Sequence, residues 1–287
     1  MVFLLELHDS STYESVTDPI ELEIRRRIWW YTFYIEMTAA IHQYPTVQMS
    51  MDYDYKIPCP IANSFFNRKD FNPHLSMHSN PFWYFKHQLF EILLFILNFQ
   101  WFSLDEYMHQ FQMTMEGLER WKAEFPMNEN QCVESRDSVA ISNLGLLFIY
   151  HSAYIRIYQY LMLNHHESLG HSGKERFRLT FEVCEISAIA ISEMLKVCKL
   201  NRLTVPLLLQ DSVLNSLLLA GWFFCLELKD SACTKKRDNE SHLANIIEYL
   251  EMDREFLGIC DTFVDLLKKM EKNPHDFQSL MKNANKI

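Results

Sequence analysis

Side chains that could bind a metal gather in one polar stretch, NHHESLGHSG at residues 164–173. His165, His166, Glu167 and His171 are residue types that zinc accepts as ligands. Their spacing matches none of the common ligand sets, such as H-E-x-x-H. Because serine and glycine surround these residues, we interpret the stretch as a solvated loop and predict no metal site in it.

His151 is the histidine best placed for acid–base chemistry, because Tyr150 is its neighbour and Tyr154 follows three residues later. On an apolar helix such a residue is more often a hydrogen-bonded histidine of a core or groove, and we adopt that interpretation. The sequence contains no G-x-S-x-G, Walker, G-x-G-x-x-G or H-E-x-x-H motif. We therefore expect no catalytic residues and no enzymatic activity.

The cysteines also argue against a metal centre. There are seven, at positions 59, 132, 184, 198, 225, 233 and 260, and none forms a C-x2-C pair. An odd number of widely spaced cysteines is typical of reduced thiols in a helical core. This pattern predicts a cytosolic or nuclear protein, with no cofactor bound by this chain.

Three consecutive arginines, Arg25 to Arg27, open the stretch RRRIWWYTFYIEM. Such a run could bind the phosphates of a nucleic acid. Asp18, Glu21 and Glu23 precede the arginines, however, so the segment is neutral. On a helix, Glu21 reaches Arg25 and Glu23 reaches Arg27 at the i,i+4 spacing. The whole chain carries a net charge of −10. A protein that binds nucleic acid directly normally presents a basic face, so direct DNA binding is not expected.

The residues after Arg27 are almost all apolar, which predicts a helix that protein surrounds. The stripe on one face of this helix consists of Ile20, Ile24, Ile28, Tyr31 and Ile35. We further expect Arg26 or Arg27 to cross the edge of the core and pair with a distant carboxylate. Asp52 or Asp54 would supply that carboxylate.

Helical patterns cover most of the remaining chain. Asp18-Pro19 and Ser103-Leu104-Asp105-Glu106 are helix starts, and Phe125-Pro126 is a helix end. We predict about seven helices in one all-α domain, near residues 18–42, 80–102, 103–125, 137–163, 174–200, 206–228 and 241–272. We expect the many apolar residues, including the methionines, to form the core. The alternative hypothesis is that some of them line a ligand cavity between helices. No segment is apolar enough for a membrane span.

Several motifs occur in an order that is similar to a known family. The first is E-x-x-R-R-x-W-W, and later segments follow it along the chain. They comprise Glu23, Arg26, Arg27, Trp29 and Trp30, then Pro45, Asp52, Asp54 and Pro58, then Leu118 to Trp121, Leu146 to His151, and Cys184 with Ala188 and Ala190. This order resembles the fungal-specific transcription factor domain, the helical regulatory region of fungal zinc-cluster transcription factors. Two positions depart from its pattern: Glu36-Met37 replaces Asp-Arg, and Gln43-Tyr44-Pro45 replaces Gly-Arg-Pro.

The resemblance implies one domain over residues 1–287, best matched at 18–200, with 201–287 as its C-terminal helices. The family's two zinc ions sit in an N-terminal six-cysteine cluster that this sequence lacks, so the chain is expected to be N-terminally incomplete. The implied function is that of a nuclear (otherwise cytoplasmic) regulatory region that contacts co-regulators, a full-length family member or a small-molecule effector. DNA would be reached only through the missing module. The alternative is a truncated, vestigial or interaction-only paralogue that pairs with an intact factor.

Overall fold

The fold is helical throughout the part of the chain that the computed structural model describes, which comprises residues 11–41, 81–97, 103–127, 131, 138–165, 177–201, 207–230, 234–252 and 259–272. No strand occurs in these ranges, so the predicted all-α class is confirmed. The helices described there are α1 (Ser11–Glu14), α2 (Pro19–Ile41), α3 (Pro81–Leu97), α4 (Leu104–Glu124), α5 (Ser138–His165), α6 (Arg178–Asn201), α7 (Leu207–Lys229), α8 (Lys236–Met252) and α9 (Ile259–Lys272).

Two helix boundaries follow directly from capping chemistry. The Asp18 carboxylate accepts a hydrogen bond from the backbone N–H of Ile20 at 2.9 Å, at the start of α2. At α4 the capping box is complete, because Ser103 accepts from the Glu106 amide while Glu106 accepts from the Ser103 amide. The α4 C-cap is Phe125, where the helix was predicted to end. These caps satisfy amides that a helix terminus otherwise leaves without partners.

The C-terminal helices begin earlier than predicted. A single helix was expected over residues 241–272. The structure describes α8 and α9 within this range, and residues 253–258 lie outside the described part, so the continuity of that helix stays a prediction. α8 begins at Lys236, five residues before the predicted start, and the charged segment Lys236 to Glu240 belongs to the helix. Asp238 lies in the first turn of α8, where the helix dipole favours a negative charge.

The chain divides into two compact units, residues 1–97 and 98–287. In the first unit, α2 packs against α3, and α1 is a single turn whose Tyr13 is buried. That all 287 residues form one domain stays a prediction.

In the second unit, α7 is the helix that the others surround. It packs against α5, α6, α8 and α9, and every residue from 213 to 225 is buried. Gly221 allows the close approach of α9, because a Cβ at that position would lie 2.4 Å from Leu267 Cδ2. The small residue in the middle of α7 therefore determines how near α9 can pack.

Four of the cysteines fall within the described helices. Cys184, Cys198, Cys225 and Cys260 are all buried. This agrees with the interpretation of these positions as core residues.

Candidate functional site

The arginine-rich start of α2 carries the two ion pairs that the sequence predicted. Arg25 bonds Glu21 at 2.6 Å and Arg27 bonds Glu23 at 2.8 Å, each within one turn of the helix. The two pairs differ in burial, because the Glu21 side chain is 51% exposed while that of Glu23 is fully buried. An exposed pair adds little stability, whereas a buried carboxylate depends on its partner.

Glu23 also acts on Arg26, which is half-buried. Burial lowers the pKa of Arg26, and the negative charge of Glu23 is the main opposing effect. Tyr13 of α1 lies near Arg25 and Arg26. Burial raises the pKa of Tyr13 to about 12, and the positive charges of the two arginines oppose this shift. Each of the three arginines is therefore influenced by a glutamate of α2.

Trp29 and Trp30 face the interior, with exposed fractions of 3% and 4%. Trp30 contacts the rings of Phe33 and Tyr34 on its own helix and the imidazole of His87 on α3. Trp30 therefore lies at the contact between α2 and α3.

The opposite face of α2 contradicts the expectation of a fully surrounded helix. Ile20, Ile24, Ile28 and Tyr31 are between 37% and 53% exposed. The reason is that α2 is apolar on two faces, and periodicity alone does not tell which of the two packs inward. The side chain of Ile35, the fifth member of the stripe, is outside the described part.

On α3, Lys86 is buried among aromatic rings, which the sequence analysis did not anticipate. Its Nζ lies 4.0 Å from the centre of the Tyr34 ring and 5.0 Å from that of Trp83. Phe82 and Phe90 add two further ring faces, each at 5.9 Å. A cation over an aromatic face gains about 0.5–2 kcal/mol. The sequence does contain a pattern that indicates this environment, because aromatic residues lie four and three positions before Lys86 and four positions after it.

His87, the next residue, is buried edge-on against Trp30, and its Nε2 lies 3.4 Å from the Glu91 carboxylate. Burial lowers the pKa of His87, and the charge of Glu91 opposes the shift. The contact surface between α2 and α3 thus contains two basic side chains among aromatic rings.

Two further predicted motif residues, Trp121 and His151, lie in the second unit. Trp121 of α4 stacks on Phe125 at 4.6 Å and on Tyr150 of α5 at 5.4 Å. His151 is buried, and its ring meets the ring of Tyr150 edge-on at 5.0 Å. The two motifs are therefore brought together through Tyr150.

A polar junction between α6 and α8 was also missed by sequence reasoning. Nδ1 of His242 is 3.0 Å from the hydroxyl oxygen of Ser192. The ring of Phe224 on α7 stacks on the imidazole of His242. Asn245 donates to both the backbone oxygen and the hydroxyl of Ser192, and it accepts from Lys199. Partners about fifty residues apart give no local signal in the sequence.

This junction contains serine, histidine and glutamate but is not arranged for nucleophilic catalysis. Ser192 is fully buried, and Nδ1 of His242 faces both Ser192 Oγ and, at 3.7 Å, Glu193 Oε1. In a catalytic triad the serine and the acid contact different ring nitrogens. Burial lowers the pKa of His242, Lys196 adds to this, and Glu193 and Asp238 oppose it. The arrangement is suited to joining helices.

The remaining predicted residues lie outside the described part of the chain. They are Pro45, Asp52, Asp54 and Pro58, so the proposed pairing of Arg26 or Arg27 with an aspartate stays a hypothesis. The side chain of His165 and residues 166–171 are also outside it. Among the described residues, no group of three histidine, cysteine, aspartate or glutamate side chains is placed to hold a metal. None of the helices described combines the length and hydropathy of a membrane span.

Comparison with known families gives a match over the N-terminal part of the chain. Residues 1–123 match the model of the fungal specific transcription factor domain. The similarity to this domain is confined to these residues. No curated protein and no solved structure matched the sequence.

The fungal specific transcription factor domain match covers 123 of the 287 residues. It includes the α2 arginines and tryptophans, Lys86 and Trp121, and it ends one residue before the end of α4. His151 and the α6–α8 junction follow it. The expected extension of the family domain over residues 124–287 stays a prediction.

Proposed function

We propose that this chain is the regulatory region of a fungal zinc-cluster transcription regulator, which acts in the nucleus through protein or small-molecule contacts. The family match over residues 1–123 is the observation that carries the proposal. In this role the chain performs no catalysis, and it leaves DNA binding to a separate zinc-cluster module.

The state of the α2 arginines supports a role without direct DNA contacts. Arg25 and Arg27 are each paired with a glutamate of the same helix, and Arg26 interacts with Glu23. A phosphate would have to displace these carboxylates, against a net charge of −10 on the whole chain. In this proposal the arginines of the motif pair within their own helix and not with phosphates.

A reporter experiment tests the regulatory role. The full chain is fused to an unrelated DNA-binding domain, and reporter output is compared with that of the DNA-binding domain alone. We expect a several-fold difference that Trp30→Ala abolishes and Tyr31→Ala retains, because Trp30 is buried while its neighbour is 45% exposed. Immunoblots verify equal protein levels. Equal output from the fusion and from the DNA-binding domain alone would contradict the proposal.

DNA binding is tested separately on the purified chain by fluorescence anisotropy with labelled duplexes at two salt concentrations. Nonspecific binding by a basic protein gives dissociation constants of about 10⁻⁴ to 10⁻⁶ M that weaken steeply with salt. We expect no saturation in this range. Salt-dependent binding tighter than about 1 μM would show that this chain contacts DNA itself.

A further inference from the structure

Lys86 is a deeply buried amine in the second turn of α3. It is 3% exposed, and four aromatic rings surround its Nζ at 4.0 to 5.9 Å. Tyr34 reaches it from α2, while Phe82, Trp83 and Phe90 belong to α3. The amine therefore sits at the contact between the two helices, in an apolar compartment.

Charge compensation is weak in this compartment. Among the residues that the structure describes, no carboxylate forms a salt bridge with Lys86, and Glu91 on the same helix faces His87 instead. Burial without a counter-charge disfavours the ammonium form, and ring faces only partly replace water around a cation. Burial accordingly lowers the pKa of Lys86 to about 7.

An amine of this kind is a nucleophile at neutral pH. With a pKa of about 7, roughly half of Lys86 is uncharged at pH 7, whereas about one in 2,500 lysines of ordinary pKa is uncharged. Desolvation in an apolar pocket is a known way to activate lysine toward carbonyl compounds. We propose that Lys86 is a covalent binding site for small apolar aldehydes, which its amine captures as an imine.

The reaction needs no additional reagent. The lone pair of Nζ attacks the carbonyl carbon, a C–N bond forms, and a proton moves from nitrogen to oxygen to give a carbinolamine. Loss of the hydroxyl as water then leaves the C=N bond of the imine. One aldehyde is consumed and one water is released, with no change of oxidation state, and hydrolysis reverses the process.

The walls of the compartment indicate which aldehydes fit. Phe82 and Trp83 are half-buried at the first turn of α3, so they are the two rings whose rotation would admit an aldehyde to the amine. Flat apolar aldehydes would gain contact with the rings. Anionic aldehydes would lose their hydration, and among the described residues only the amine itself would offer them a positive charge at this place. This selectivity concerns the chemistry of the amine and does not depend on the proposed regulatory role.

The test compares lysines within the folded full-length chain. The protein is incubated with benzaldehyde and cyanoborohydride, which reduces the imine to a stable amine, and peptide mass spectrometry follows each lysine over time. At pH 7 we expect Lys86 to be labelled at least about tenfold faster than the exposed Lys196 and Lys268, because more of its amine is uncharged. The labelling rate of Lys86 should level off above pH 7. With glyoxylate, an anionic aldehyde, Lys86 should not be labelled faster than the exposed lysines.

Two variants keep the test decisive. Trp83→Ala admits water to the amine, so the Lys86 rate at pH 7 should fall toward the rate of the exposed lysines and keep rising to higher pH. Tyr84→Ala, at the neighbouring half-buried position, should retain the wild-type profile. Among the described residues, the titratable groups beside Lys86 at this contact are Tyr34 on α2 and His87 and Glu91 on α3. Circular dichroism monitors the folding of each variant. Labelling of Lys86 no faster than Lys196, or only after denaturation, would overturn the proposal.

Discussion

Glu23 and Glu21 provide a matched test of how much a buried carboxylate stabilises α2. Both accept a hydrogen bond from an arginine four residues later on the same helix. Replacing either by glutamine removes the negative charge and keeps the size of the side chain. The two variants therefore differ in burial, since Glu23 is fully buried and Glu21 is half exposed.

The expected costs follow from that difference. Glu21→Gln should lower the free energy of unfolding by about 0.3–0.5 kcal/mol, as for other exposed i,i+4 pairs. Removing one partner of a fully buried pair costs about 3–5 kcal/mol. The Arg27 side chain remains 28% exposed and so keeps part of its hydration, which reduces the expected cost of Glu23→Gln to about 2 kcal/mol.

Urea denaturation followed by tryptophan fluorescence measures both costs, because Trp29 and Trp30 lie on the same helix. The experiment is repeated in about 1 M NaCl, where the Debye length is near 3 Å. Salt should abolish the effect of Glu21→Gln and leave most of the effect of Glu23→Gln. Equal costs for the two variants, or equal loss of both in salt, would show that the burial of Glu23 does not control the stability of this segment.

Three further predictions concern the second unit. Burial lowers the pKa of His242, so the folded protein favours the neutral ring and loses stability as pH falls below about 6.5; thermal melts of His242→Gln should show a weaker loss between about pH 7 and pH 5. Gly221→Ala should cost about 1–3 kcal/mol in urea denaturation because its Cβ would collide with Leu267, and adding Leu267→Val should restore part of that stability. The Tyr107 hydroxyl donates to the buried Ile157 oxygen at 2.8 Å, so Tyr107→Phe should lower the free energy of unfolding by about 1–2 kcal/mol. Each prediction would be contradicted if its variant had no effect. The relevant measurement is the pH dependence of stability for His242→Gln and the free energy of unfolding for Gly221→Ala and Tyr107→Phe.

Local chemistry in the sequence was enough to predict several of these features. The caps at Asp18 and Ser103 and the ion pairs of Arg25 and Arg27 involve partners within four residues. Such interactions are determined by helix geometry, so spacing alone identifies them.

Features that depend on the packing of distant segments could not be predicted in this way. α2 is apolar on two faces, and only the position of α3 decides that Trp30 is buried while Ile24 is exposed. The contact of His242 with Ser192 joins residues fifty positions apart, and neither residue type stands out in its own segment. The environment of Lys86 likewise depends on Tyr34 from another helix.

The four buried thiols affect how this protein can respond to oxidants. Burial raises the pKa of Cys184 and raises that of Cys225 to about 12, so both remain protonated at physiological pH. Peroxide reacts with thiolates, and a protonated sulfur enclosed by packed helices reacts with it poorly. Oxidative stress therefore cannot be sensed through Cys184 or Cys225 while the helices around them are folded, and sulfenic acid at either position would report prior unfolding.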